Sequence, residues 1–116
     1  MEEQYLDQAI DWVKKRGFSN IKANREDFEP PASFTKPGEE EPYVPNITGL
    51  RTGGKCYIEV AVKTDDIQRS ISKWKLLSTL AARKGGKLYL LAPRGHKTFA
   101  ESVVKEHNLN AEIKSI

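Results

Sequence analysis

Cysteine is nearly absent from this sequence, and that scarcity excludes a good deal. Cys56 is the only one, so no intrachain disulfide and no zinc site of several thiolates can form. Its strand context makes it a small core residue. Histidine is also scarce. His96 and His107 lack a cysteine, serine or second histidine at a catalytic or metal-binding spacing, although His96, in the loop after the buried strand, could approach an active site, while His107 is expected to pack in the last turn of its helix. No apolar run approaches the ~20 residues that span a bilayer, and Met1-Glu2-Glu3-Gln4 lacks the basic-then-apolar run of a signal peptide. The expectation is a cytoplasmic protein with no membrane partner. Internal repeats are missing, and Gly53-Gly54 and Gly85-Gly86 read as a turn and a helix end rather than a phosphate-binding loop.

What is there suffices for one domain, residues 1–116, near the low end of common domain sizes. At that size a homodimer would be a natural source of extra stability. Charge is divided along the chain. Residues 1–41 hold six Lys/Arg against ten Asp/Glu, a net of −4, and residues 42–116 hold thirteen against six, a net of +7. A basic surface with a self-shielding acidic loop would show such a split, as many ordinary proteins do.

Periodicity predicts the elements. Tyr5, Leu6, Ala9, Ile10, Trp12 and Val13 form the apolar stripe of a helix over residues 2–16, stopped by Gly17. A short strand follows at 19–24, and then an acidic, proline-containing loop at about 25–42 with isolated Phe28 and Phe34. The run Glu39-Glu40-Glu41 reads as a solvated turn. Segments 42–51 and 55–63 form a hairpin around Thr52-Gly53-Gly54. In the second strand Cys56, Ile58, Val60 and Val62 face one way, and Tyr57, Glu59, Ala61 and Lys63 the other. Asp65 is the expected N-cap of a long helix carrying Ile67, Ile71, Trp74, Leu77 and Ala81 inward. Residues 87–92 are apolar almost throughout, as in a strand covered on both faces. A helix over 97–107 and a strand over 111–116 complete an α/β protein of order αβββαβαβ, a mixed sheet flanked by helices.

That order resembles the core of the restriction-endonuclease-like (PD-(D/E)XK) nuclease superfamily, and two segments carry the resemblance. Tyr43-Val44-Pro45-Asn46-Ile47-Thr48-Gly49 is similar to the strand of the "PD" motif. Tyr57-Ile58-Glu59-Val60-Ala61-Val62-Lys63 is similar to that of "(D/E)XK". The resemblance implies that two carboxylates hold Mg²⁺ against a scissile phosphate while a lysine assists the attacking water. By position the first carboxylate is replaced by Asn46, the second is Glu59, and the lysine is replaced by Ala61. Asn46 and Glu59 are thus the candidate metal ligands, and Asn46, Glu59 and Lys63 the candidate catalytic set. Lys63 stands one side-chain repeat, ~6.6 Å, beyond Ala61 and would bend back over it. The plainer reading of Glu59 is a half-exposed strand carboxylate paired with a base such as Lys63.

Arg51, Lys55, Gln68, Arg69 and Lys73 are the candidate nucleic-acid contacts, while Glu2, Glu3 or Asp7 on the first helix is a weaker candidate for an extra metal ligand. Three functions follow. The first is a nuclease-superfamily protein with hydrolysis lost or reduced that still touches DNA or RNA. The second is an active Mg²⁺-dependent nuclease with a migrated lysine. The third is a non-catalytic protein-interaction or structural domain that uses Phe28 and Phe34.

Overall fold

The computed structural model describes residues 3–116, so Glu2 lies outside the described residues. The strand β3 (Gly54–Val60) organises the rest because both of its faces are buried. Cys56, Ile58 and Val60 enter one apolar layer, and Tyr57 and, just past the strand end, Ala61 enter the other. A strand apolar on both sides needs cover on both sides. Helix α1 (Glu3–Lys14) supplies it on the first face, with Leu6, Ala9, Ile10 and Val13 inward. Helices α2 (Ile67–Arg83) and α3 (Lys97–Glu106) supply it on the second, through Ile71, Trp74, Leu77, Ala81, Ala100 and Val103.

Five strands lie side by side in chain order: β1 (Ser19–Ala23), β2 (Ile47–Arg51), β3, β4 (Leu88–Ala92) and β5 (Ala111–Ser115). The first three pair antiparallel, and β3, β4 and β5 pair parallel. Each parallel step needs a crossover, which α2 and α3 provide. The molecule is therefore an α/β protein of order αβββαβαβ with a mixed sheet flanked by three helices. No helix among the described residues is long and apolar enough to cross a membrane.

Several boundaries differ from the sequence reading. The segment 42–51 is not one strand, because Pro45 has no N–H to give the ladder; Tyr43 instead forms an isolated antiparallel bridge with Phe34. Strand β3 stops at Val60, short of the expected 63. The N-cap of α2 is Asp66 rather than Asp65, and its carboxylate accepts from the Arg69 N–H at 3.1 Å. Phe28 and Phe34 are not exposed as a free contact surface. Phe28 packs against the α1-side core beneath the Lys14 ammonium, and Phe34 lies edge-on to Tyr57 at 6.2 Å between centroids. Cys56 is buried in the core, as expected.

The loop that ends α2 runs directly against the start of β3. A Cβ on Gly54 would strike the Gly85-Gly86 backbone, and one on Gly86 would strike the Lys55 carbonyl. Backbone on both sides leaves nothing to yield. Gly86→Ala is expected to lower the unfolding free energy by about 3 kcal/mol, the upper end of ordinary overpacking. Gly38→Ala meets open space and costs about 1 kcal/mol through its positive φ alone. Urea denaturation of the two variants checks the difference.

Candidate functional site

Strands β2 and β3 meet in the register Ile47 opposite Ile58, so one further step sets position 46 opposite position 59. There the ladder is replaced by side chains. The Asn46 N–H donates to Glu59 Oε2 at 2.7 Å, and Asn46 Oδ1 accepts from the Val60 N–H at 2.8 Å. Buried Pro45 takes the chain out of the sheet immediately before this exchange.

Glu59 faces the α2 side of the sheet and is 2% exposed. Its second oxygen, Oε1, receives the Lys73 ammonium at 2.9 Å and the Trp74 indole N–H at 3.3 Å. The Lys73 side chain is 19% exposed, so the ion pair is largely withdrawn from solvent. A carboxylate buried this deeply needs such partners, since an unpaired one costs several kcal/mol in desolvation. Both Glu59 oxygens therefore already face N–H donors, one on Oε2 and two on Oε1.

The expected residues separate into several places. Asn46 and Glu59 come together. Lys63 does not join them: it is exposed beyond the end of β3, makes no ion pair with Glu59, and its backbone N–H donates to His96 Nδ1 at 3.3 Å. The chain leaves the sheet after the Ala61 N–H bonds to the Leu91 carbonyl, which carries Lys63 away from the site. The lysine on Glu59 is Lys73, which the sequence reading assigned to nucleic-acid contact. His96 packs edge-on to Tyr5 at 6.3 Å. Asp7 pairs with Arg25 at 3.0 Å, and Arg25 also donates to the Glu3 main-chain carbonyl.

The proposed nucleic-acid contacts do not form one patch either. Arg51 lies over Phe18 on the α1 side. Lys55 lies on the α2 side at the start of β3, four residues or ~13 Å from Glu59. Burial, together with the neighbouring Lys84 and Lys22 charges, holds its ammonium below the usual lysine range. Gln68 is exposed on α2. Arg69 is engaged internally: it donates to the Pro42 carbonyl at 2.8 Å, covers the Tyr43 ring at 4.1 Å and lies 3.9 Å from Glu41. It thus pins the acidic loop to α2.

Tyr43 completes that pin. Its hydroxyl donates to Glu39 at 2.6 Å, and Lys36 reaches over its ring to the Ser72 carbonyl. The bond to Glu39, with burial and the Glu39 charge, raises the Tyr43 pKa above its ordinary 10.0, against the lowering effect of Arg69.

Mg²⁺ takes oxygen ligands in near-octahedral geometry. Both Glu59 oxygens and Asn46 Oδ1 face N–H donors, and among the described residues no second carboxylate bonds to this group. Among the described residues no group of three or more His, Cys, Asp or Glu is placed to hold an ion. The residues present do not fit the ion that the resemblance implies. Trp74 was missed by sequence reasoning except as a core residue. The signal was chemical: a buried indole N–H needs an acceptor, and among the described residues Glu59 and Thr48 are the buried polar or charged ones.

Two predictions follow from this geometry. Glu59→Gln and Lys73→Met are each expected to cost about 3 kcal/mol, because each leaves a buried partner uncompensated, and the double variant should cost clearly less than their sum. Denaturant unfolding of the four proteins measures the coupling. For Tyr43, a raised folded-state pKa means that its contribution is fully present below pH 10 and is lost as pH rises through the raised value. Wild-type stability should therefore fall relative to Tyr43→Phe only in that alkaline range.

Compared with family models, with curated proteins and with solved structures, the chain finds no match.

Proposed function

We propose that this chain is a nucleic-acid-binding relative of the restriction-endonuclease-like nucleases in which the motif carboxylate has become a structural ion, so that Mg²⁺-dependent phosphodiester hydrolysis is lost. The observation that carries the reading is the engagement of both Glu59 oxygens by Asn46, Lys73 and Trp74. In an active site of this type two carboxylates would leave net negative charge for a divalent ion. Here one carboxylate is balanced by an ammonium and its partner is a neutral amide. At an effective dielectric of about 20, each unit of charge ~4 Å away is worth about 4 kcal/mol, so the ion loses the second carboxylate's attraction and meets the repulsion of Lys73.

The element order supports the family reading, as does the position of Pro45-Asn46 beside Glu59 at one end of the hairpin. The excess of cations in residues 42–116 supports contact with a polyanion. A lone, buried, unpaired thiol fits a reducing, cytoplasmic setting. One observation favours a second reading. Lys73 beside Glu59 restores a carboxylate–lysine pair, with the lysine supplied by α2, as an active nuclease with a migrated lysine would require.

A cleavage assay separates the two. Wild type with Mg²⁺ or Mn²⁺ should leave labelled DNA and RNA intact, and Asn46→Asp, which adds back one carboxylate, is the variant in which metal-dependent cleavage should first emerge. Metal-dependent cleavage by wild type that disappears in Glu59→Gln would establish the active nuclease instead.

A further inference from the structure

Among the described residues α1 is the one helix on its face of the five-stranded sheet, and it does not reach the whole of it. Trp12 packs on Phe18 and Tyr89 at 6.1 and 5.5 Å between centroids, the helix ends at Lys14, and Gly17, with φ of +78°, turns the chain back into β1. Beyond Trp12 and Tyr89 the sheet lies open. Strand alternation decides what it shows there. Arg51 is four residues along β2 from the core residue Ile47, and Lys87 is two residues before Tyr89. Glu112 and Lys114 stand beside Tyr89 and Leu91 in the β4–β5 register. All of them therefore point to the α1 side. Arg16 hangs over the same opening from the end of the helix.

The result is an open cleft of about 410 Å³ with Arg16, Arg51, Lys87 and Lys114 on its walls and Trp12 and Tyr89 in its floor. Four cations meet one acid. Glu112 pairs with Lys87 at 3.5 Å, which leaves three positive charges uncompensated. Arg16 and Arg51 rest on the Trp12 and Phe18 rings at 5.0 and 5.3 Å instead of on carboxylates. Among the described residues neither they nor Lys114 makes an ion pair. This is the reverse of the Glu59 end of the sheet, where Arg69 and Lys73 are both engaged by the protein's own groups.

We propose that this cleft binds successive phosphates of a nucleic-acid strand, on the face of the sheet opposite Glu59. The inference rests on the nucleic-acid-binding reading above and assigns it a location. Three unpaired cations from three separate segments, two of them resting on aromatic rings, present guanidinium and ammonium donors that meet no carboxylate of the described residues. The cations run from β2 to β5, three strand spacings or ~14 Å, which is longer than one phosphate and suits several in a row. The aromatic floor offers an apolar surface to sugar or base.

The test uses the full chain and fluorescence anisotropy with labelled single- and double-stranded oligonucleotides at low salt. Arg16 and Lys114 are exposed, so the Arg16→Glu/Lys114→Glu variant keeps its fold. Lys97→Glu/Lys105→Glu on α3, across the sheet, makes the same change in net charge. The cleft variant should lose about tenfold or more in affinity, and its dependence of log K on log salt should be shallower by roughly 1.5. The α3 variant should stay within about twofold of wild type. If both variants lose affinity equally, or the cleft variant binds as wild type does, the cleft assignment fails while nucleic-acid binding stands. If wild type binds neither oligonucleotide, nucleic-acid binding itself fails. Binding of ATP in the cleft without binding of either oligonucleotide would replace the strand by a free nucleotide and overturn the proposal.

Discussion

A charged carboxylate inside a sheet constrains everything near it. Burying Glu59 without partners would cost several kcal/mol, so the surrounding chain must bring donors to it, and it does so from two segments. The turn into β2 brings the Asn46 N–H, and α2 brings the Lys73 ammonium and the Trp74 indole. Meeting those demands at once sets the hairpin register, the point at which the chain enters β2, and the rotation of α2 over the sheet. Arg69, one turn before Lys73, then holds Tyr43 and the acidic loop against the same helix. The loop's order is thus a downstream consequence of where α2 was fixed.

The element order and the two faces of β3 were legible in the sequence because they depend on periodicity alone. An alternating pattern flanked by helical stripes has few ways to bury both faces. The pairing of Asn46 with Glu59 was legible for the same reason, since a tight hairpin fixes register. The identity of the lysine was not. Periodicity put Lys63 on the correct face of its strand, but it could not say that the chain quits the sheet after Ala61, nor that the Lys73 stem reaches Glu59 from a helix above. Isolated Phe28 and Phe34 carried no period at all. Their places in the core depend on the path of a loop held by long-range contacts such as the Phe34–Tyr43 bridge.

The charge split along the sequence becomes a spatial one. Glu3, Asp7, Asp11, Glu26 and Asp27 gather between α1 and the segment after β1, with Lys14 and Arg25 among them. Arg16, although it belongs to the acidic part of the chain, sits past the end of α1 with Arg51 of β2, Lys87 just before β4 and Lys114 of β5. One helix on one face, against two on the other, is the cause of the opening where those cations lie. Among the described residues, the lack of a second covering helix on that face and the exposure of a basic cleft are the same structural fact.

The central claim is that Glu59 is occupied by the protein itself and is not available to a divalent ion. Paramagnetic broadening by Mn²⁺ reads this at the residue. In amide NMR spectra of the wild-type chain titrated with Mn²⁺, the Asn46 and Val60 resonances should persist with no more broadening than those of the rest of the sheet. Selective loss of those two signals at low Mn²⁺, reversed by excess Mg²⁺, would place an ion at Glu59 and contradict the account.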